Sequence, residues 1–255
     1  MIPVYVISMP TSHERREIMR RQLDALQIPF RFHDAIDGRR LDRDELLRAA
    51  PGGGIYYSGM LTPEEIGCAL SHLCVIQKIA QSEDEYAAVL EDDVVVMPES
   101  RKFLAKEYLT SLRPFDVLQL DGAHPDKVRL TLQVAKFDRS ELCALTTCHH
   151  SMYGLIYTRE AARKIITSIP QITSPIDNMI FKDFCILGLR IVALRPSVVT
   201  HMGLPSEIGR RQAVEGLFNK FHRELRRFRS WRRRWRSFAQ AWGFRGILGL
   251  RLRRP

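Results

Sequence analysis

The first forty residues alternate between short apolar runs and one amphipathic stretch. Val4–Ser8 predicts a buried strand, and Ser12 is placed to cap a helix that extends to about Leu26. Phe30–Ile36 predicts a second strand, which the turn Asp37-Gly38 closes. A strand, a helix and a strand in about 35 residues form a βαβ unit, so we expect a parallel sheet.

The strongest helix start in the chain is at Thr62. Thr62 is expected to cap the helix, Pro63 suits its first position, and Glu65 completes a capping box. The periodicity extends this helix to about Gln81. Two further helices are expected, near Arg101–Leu112 and at Arg159–Ile169. Strands are expected at Asp116–Leu120, in several runs over 128–158, and last at Ile191–Val199.

A run of three acids follows an apolar strand in the middle of the chain. Residues 87–90 are apolar, Glu91, Asp92 and Asp93 follow, and residues 94–96 are valines. Ionised carboxylates at the end of a core strand need a metal, an arginine or a hydrogen-bond cage. A hard divalent cation that also holds a diphosphate would satisfy them, which points to an enzyme acting on a nucleotide-activated substrate. The alternative is a solvated turn after an edge strand.

Charge is distributed unevenly along the 255 residues. Residues 210–255 hold 15 Lys/Arg and 2 Glu, a net charge of +13, whereas residues 1–209 carry 24 basic and 27 acidic residues, a net charge of −3. We therefore expect a nearly neutral domain over 1–209 and a basic tail over 210–255 that meets an anionic surface.

The tail predicts an amphipathic helix with an aromatic face. Beyond residue 213 the apolar residues recur at spacings of three and four, and seven arginines lie within Arg226–Arg236. We expect this helix, within residues 213–255, to bind an anionic membrane surface. It can instead pack on the domain, or bind RNA, although RNA binding leaves the three acids unexplained.

The cysteines and the first residues favour a cytoplasmic protein. Five scattered cysteines are typical of reduced thiols, and neither a signal peptide nor an apolar run of about 20 residues is apparent. With the basic tail, this predicts a protein at the inner face of the cytoplasmic membrane. Zinc binding by Cys143, Cys148, His149 and His150 is disfavoured, because a second close Cys pair is missing and strand alternation separates the side chains.

Three stretches together resemble glycosyltransferase family 25, whose bacterial members include lipooligosaccharide galactosyltransferases. They are Val4–Ser8 with Arg15-Arg16 and Phe32–Gly38, then Leu61–His72, then Leu90–Val94. Order and spacing match as well, and the resemblance covers about residues 1–205. The family usually has Asn-Leu where this chain has Ser8-Met9.

The resemblance implies an α/β, GT-A-like fold, a Rossmann-like mixed sheet flanked by helices. It also implies transfer of a sugar, most often galactose, from a UDP-sugar to a lipooligosaccharide-type or other lipid-linked carbohydrate acceptor, with inversion at the anomeric carbon. A metal bridging the acids to both phosphates would stabilise the leaving UDP, so Mn²⁺ or Mg²⁺ is the expected cofactor.

Roles can be assigned to the candidate site residues on this basis. Metal ligands are expected at Asp93, Asp92 and His201, and nucleotide contacts at Ser8, Arg15, Asp37, Glu91 and Asp92. The general base that accepts the acceptor proton is expected to be Asp177, with Asp121 as its rival. His72 is expected to be structural or to hold the acids, rather than to bind a metal.

Two other classes of function remain open. One is a non-catalytic glycosyltransferase-like adaptor that binds anionic membrane or nucleic acid through the tail; the intact acids and intact 62–72 helix argue against it. The other is a phosphodiesterase or nucleotidyltransferase, which generally needs further carboxylates for a second metal. We expect no specific nucleic-acid partner.

Overall fold

The computed structural model describes residues 1–51, 55–56, 59–112, 114–121, 130–137, 140–145, 151–182, 188–203 and 250–252. Six α-helices lie in these residues: α1 His13–Ala25, α2 Arg43–Ala49, α3 Pro63–Gln81, α4 Ser100–Phe103, α5 Lys106–Ser111 and α6 Arg159–Ser168. A 3₁₀ turn spans Gly38–Arg40, and a π-helical turn spans Asn178–Lys182.

The described strands are β1 Val4–Ser8, β2 Arg31–Asp34, β3 Ile55–Tyr56, β4 Gly59–Met60, β5 Tyr86–Glu91, β6 Val94–Val96, β7 Val117–Gln119, β8 Leu130–Phe137, β9 Ser140–Leu145, β10 Gly154–Thr158, β11 Ile191–Arg195, β12 Val199–His201 and β13 Leu250–Leu252. Nine of them form one sheet in the order β13-β8-β9-β11-β7-β10-β5-β1-β2. The sheet is mixed: β2, β1 and β5 are parallel, and β10 runs antiparallel to both β5 and β7. The predicted α/β class with a mixed sheet flanked by helices is confirmed.

Helices cover both faces of the sheet. Alternate strand residues such as Val89 and Leu155 face α3 and α6, whereas their neighbours Leu90 and Ile156 pack with Met19 of α1 on the other face. The near-continuous apolar strands therefore follow from burial on both faces, as expected for the parallel part of a sheet.

The strand directions gather several chain segments at one edge. Because β10 is antiparallel to both β5 and β7, the carboxyl ends of β1, β5 and β7 lie at the same edge of the sheet. Met9 follows β1, Asp92 follows β5, and Asp121 lies two residues after the end of β7. Ligands of open α/β sheets bind at this edge.

The helix that starts at Thr62 is confirmed in full. The Thr62 hydroxyl accepts from the Glu65 backbone N–H, and the Glu65 carboxylate accepts from the Thr62 N–H. Ser12 takes the predicted cap position of α1, but its side chain makes no capping hydrogen bond.

Two predicted elements are divided in the structure. The helix predicted over 101–112 is broken between α4 and α5, because the Leu104 carbonyl accepts from the Ile2 N–H at 2.9 Å. The strand predicted over 191–199 is divided at Pro196, which cannot donate to a ladder, and β12 leaves the main sheet to pair with β6.

The predicted tail helix lies outside the described residues. Within 210–255 only Leu250–Leu252 is described, and this segment pairs antiparallel with β8. Cys148, His149 and His150 of the disfavoured zinc site also lie outside. No helix in the described parts of the chain is long and apolar enough to span a membrane.

Candidate active site

A cavity of about 160 Å³ opens at the carboxyl edge of β1 and β5. Its walls come from the end of β1, the start of α1, the turn after β2, the first half of α3 and the acids after β5. Its polar lining residues are Ser8, Arg15, Asp37, Arg39, Glu64, Cys68, Ser71, His72, Glu91, Asp92 and Asp93. All five predicted nucleotide contacts therefore line one cavity.

Asp92 and Asp93 are buried beside an arginine from α1. Their residues are 7% and 9% exposed. The Arg15 guanidinium donates to the Asp92 carboxylate at 3.1 Å and lies 3.7 Å from an oxygen of Asp93. Arg15, predicted as a nucleotide contact, thus offsets part of the charge of both acids in this structure.

His201 also reaches Asp93, from a strand more than a hundred residues away in sequence. Its Nε2 lies 3.2 Å from the Asp93 carboxylate, and its Nδ1 accepts from the Gly203 N–H at 2.8 Å. The Asp93 carbonyl accepts from the Met202 N–H, and the Tyr153 ring lies 4.9 Å from the imidazole. The pairing of β12 with β6 therefore brings two predicted metal ligands, Asp93 and His201, together.

The Asp93 carboxylate lacks part of its expected compensation. Burial raises the pKa of Asp93, and the charge of Glu91 raises it further, while His201 and Arg15 oppose the rise. Its Oδ1 is buried and has no hydrogen-bond partner within the described residues. A buried carboxylate oxygen in this state fits a hard cation, for which carboxylate and imidazole are ordinary ligands.

Glu91 faces α3 rather than the acid pair. Its carboxylate lies 3.1 Å from Nε2 of His72, a residue that is only 1% exposed. His72 thus holds an acid, as predicted. The Cys68 thiol lies one helical turn earlier, and burial raises its pKa, with Glu91 and Asp177 adding to the rise.

The turn after β2 is fixed tightly to α3. A Cβ on Gly38 would lie 1.7 Å from the Pro63 carbonyl oxygen, and one on Gly67 would lie 2.5 Å from the Ile36 carbonyl oxygen. The Ser71 hydroxyl accepts from the Ile36 N–H and donates to the Gly67 carbonyl. Only glycine at both positions allows this approach.

Asp37 organises that turn instead of pointing free into the cavity. Its carboxylate accepts from the Arg39 N–H and pairs with the Arg39 guanidinium at 2.8 and 3.0 Å. The same guanidinium lowers the pKa of Asp37. Arg39 is 58% exposed and lines the cavity, so the pair presents a cation as well as an acid.

Arg16 holds the end of β1 and was not assigned a role from sequence. It donates to the carbonyls of Ser8 and Met9 at 2.9 and 3.1 Å, and it pairs with Asp34 at the end of β2. Gln22 was missed as well: its amide bonds both Val94 and Val96 of β6. Arg16 belongs to the first family stretch, whereas no local sequence signal distinguishes Gln22 from a solvated helix face.

The two candidate bases do not line the cavity. Asp177 accepts from the N–H of Asn178 at 2.7 Å, and its charge acts on Cys68, which places it on the α3 side. Asp121 follows β7, its carbonyl accepts from the Ser197 hydroxyl, and its charge acts on Tyr153. Asp177 thus acts on a residue of the cavity wall, and Asp121 acts on Tyr153, whose ring lies beside His201, so both stay candidates.

Residues 1–180 match the profile of glycosyltransferase family 25 (LPS biosynthesis protein). This chain belongs to glycosyltransferase family 25. Procollagen galactosyltransferase 1-B of Xenopus laevis is 33% identical over 179 residues, which are 66% of this chain and 28% of that protein. Lipooligosaccharide biosynthesis protein lic2B of Haemophilus influenzae is 25% identical over 194 residues, 71% of this chain and 70% of that protein.

Relatives differ in how much of their length the chain spans. It spans less than a third of the procollagen galactosyltransferase. Among solved structures, a glycosyltransferase involved in glycosylation of the major capsid of PBCV-1 matches with a TM-score of 0.46 and 12% identity, covering 88% of this chain and 98% of that chain. The family assignment therefore rests on the profile, with its motifs in the cavity wall.

Proposed function

We propose that this family 25 protein transfers a sugar, galactose in the first instance, from a UDP-sugar to a lipooligosaccharide-type carbohydrate acceptor. The observation that carries the proposal is the buried acid pair Asp92-Asp93, which shares a cavity with Arg15 and Arg39. A cavity with carboxylates and arginines side by side suits a diphosphate bound with a divalent cation.

Asp93, Asp92 and His201 would hold Mn²⁺ or Mg²⁺. When bound, such an ion supplies Lewis-acid stabilisation of the negative charge that develops on the leaving diphosphate. The unpartnered oxygen of Asp93 supports Asp93 as a ligand. His201 would join the set once its ring proton lies on Nδ1, in place of the hydrogen bond from Gly203.

The protein's own residues supply the remaining functions. Arg15 lies against both acids and can donate to a phosphate oxygen that arrives beside them. Glu91 and Asp37 line the same cavity, and we propose that they accept from ribose or base donors. The Asp37–Arg39 pair keeps that wall ordered.

The transfer is proposed to invert the anomeric centre. A single carboxylate then takes the proton of the acceptor hydroxyl as the new bond forms. Asp177 is our first choice for this base, because its charge reaches Cys68 in the cavity wall. Asp121, at the end of β7, is the second.

One assay tests the central proposal. Purified protein is incubated with Mn²⁺ and a panel of UDP-sugars, and UDP release is measured with and without a chelator. We expect release from one sugar nucleotide, its loss on chelation and its loss in Asp93→Asn, while the exposed control Asp24→Asn remains active. Release that survives chelation would refute the metal dependence, and no release from any donor would favour the non-catalytic adaptor.

The base and the stereochemistry need separate measurements. Asp177→Asn is expected to abolish transfer while UDP-sugar affinity survives; near-normal turnover in that variant, with loss in Asp121→Asn, would move the role to Asp121. The anomeric configuration of the product, read by NMR, is expected to be opposite to that of the donor. Retention would contradict the single-base mechanism.

We further propose that the basic tail binds an anionic membrane and holds the protein at the cytoplasmic membrane face. The support is the run of seven arginines in Arg226–Arg236 with interleaved aromatic residues. Replacing the seven arginines of Arg226–Arg236 by glutamine should release the protein from anionic vesicles, at physiological salt, and leave transfer to a soluble acceptor intact, because strand β13 is kept. Unchanged vesicle binding would contradict this proposal.

A further inference from the structure

Three metal-binding atom types converge in the cavity wall, apart from the acid pair. The sulfur of Cys68, a ring nitrogen of His72 and a carboxylate oxygen of Glu91 all lie within 4.8 Å of one another. Cys68 and His72 are four residues apart on α3, so their side chains share one face of the helix. Glu91 approaches that face from the end of β5.

We propose that Cys68, His72 and Glu91 form a second cation site, which binds Zn²⁺ or another thiophilic divalent ion. Sulfur, imidazole and carboxylate are the ligands that Zn²⁺ takes, and three protein ligands leave its fourth position to water or a ligand. Thiolate ligands disfavour Mg²⁺ and Mn²⁺, which prefer oxygen. The ligand types therefore separate this site from the oxygen-rich pair Asp92-Asp93.

The site is largely organised before any ion binds. His72 is almost fully buried, and its contact of 3.1 Å with Glu91 fixes the plane of the ring. Gly67, the residue before Cys68 on α3, lies against the backbone of Ile36 and Gly38. A rigid helix face and a strand end thus hold the three ligands, so little ordering is required on binding.

The surrounding charge favours a cation. Negative charges of Glu91, Asp177, Glu65 and Asp93 all act on the Cys68 sulfur. They oppose a free thiolate, but they stabilise a divalent ion at the same place, and an ion deprotonates a thiol that coordinates it. Burial is the main cause of the raised pKa of Cys68, and these charges add to it, whereas at a bound cation the same charges are favourable.

Binding is balanced by one released proton. The Cys68 S–H bond breaks, its proton leaves to solvent, and the sulfur–metal bond forms. The neutral His72 ring carries one proton, which lies on the nitrogen that does not bind the ion. Each chain therefore releases one proton per ion taken up.

The site has a consequence for the cavity itself. Cys68, His72 and Glu91 line the same cavity as Ser8, Asp37 and Asp93. An ion held there, with its outer ligand, occupies space that a nucleotide would need. We therefore expect Zn²⁺ to weaken UDP binding. This expectation rests on the proposed function, whereas Zn²⁺ binding itself does not.

The test uses the full chain and Co²⁺ as a spectroscopic probe for Zn²⁺. Wild type is expected to show a thiolate-to-cobalt charge-transfer band at one Co²⁺ per chain, which Zn²⁺ removes. Cys74 lies on the same helix, outside the cluster, and Cys74→Ser is the matched control that keeps the band. Cys68→Ser should abolish the band, and Cys68→Ser or Glu91→Gln should weaken Zn²⁺ binding at least about tenfold.

Several results would overturn the proposal. They are a band that persists in Cys68→Ser, loss of the band in Cys74→Ser, or no band in wild type. If Cys68→Ser does not fold, the rate of cysteine alkylation is measured in wild type instead. Zn²⁺ should slow alkylation of Cys68 more than alkylation of Cys74, and equal slowing refutes the site. Asp93→Asn should retain the cobalt band but lose the UDP release that depends on Mn²⁺. The two measurements therefore distinguish failure of the proposed transfer from failure of this site.

Discussion

Replacing Gly38 by alanine tests how the wall of the cavity is built. A Cβ at this position would lie 1.7 Å from the carbonyl oxygen of Pro63 and 2.5 Å from its carbon, whereas real contacts of this kind begin near 3.0 Å. The turn and the start of α3 must therefore separate by at least 1.3 Å, the difference between 3.0 and 1.7 Å. Both obstacles are backbone atoms, so no side chain can rotate away.

The size of the effect follows from overpacking. Such changes cost about 1–3 kcal/mol, occasionally more, and a gain of about 0.4–1 kcal/mol from the stiffer unfolded chain opposes them. Because backbone must move, we expect a net loss of about 2–3 kcal/mol in the free energy of unfolding. For a chain of this length, that lowers Tm by about 4–12 °C.

Gly188→Ala is the matched control. Gly188 has a φ of +60°, and a Cβ there would meet only the Lys164 amine at 3.5 Å. Its cost is conformational, about 1–2 kcal/mol before the unfolded-state gain. Thermal unfolding and UDP binding are measured for both variants. We expect Gly38→Ala to lose more stability and to bind UDP more weakly, and a Gly38→Ala protein as stable as Gly188→Ala would refute the reasoning.

Substitutions at three further positions test elements around the cavity. Thr62→Ala should cost about 1 kcal/mol by chemical denaturation, since one half of the capping box is lost, and Thr62→Ser should recover most of it. Gln22→Leu should cost about 2 kcal/mol, because two backbone groups of β6 lose their partners; an unchanged midpoint would contradict this role. Asp37→Asn keeps a capping residue but loses the Arg39 ion pair. Because the folded pKa of Asp37 is lowered, wild type should be the more stable above pH of about 4, and the difference should vanish as the pH falls through that lowered pKa. A difference that persists at low pH would show that the pair is not its cause.

The strongest local signals of the sequence were correct for physical reasons that act over a few residues. The Thr62-Pro63-Glu64-Glu65 start specifies α3, because the cap bonds join residues three apart. The apolar run before Glu91 predicts β5, because a strand that is buried on both faces of a sheet needs only a continuous run of apolar residues. Helix 101–112 and strand 191–199 are each predicted as a single element. The long-range bond from Ile2 to Leu104 divides the helix, and Pro196 divides the strand.

The sequence alone thus determined the family motifs, the βαβ start, the capped helix and the demand of three acids for a cation. His201 and Arg15 were candidates from the sequence, but only the tertiary structure shows that both lie against the acids. Pairing of β12 with β6 brings His201 to Asp93, a distance of 108 residues along the chain. Packing of α3 on the sheet brings Cys68 and His72 to Glu91. Local capping and periodicity cannot specify such contacts, because they depend on the strand order and on how close two backbones approach.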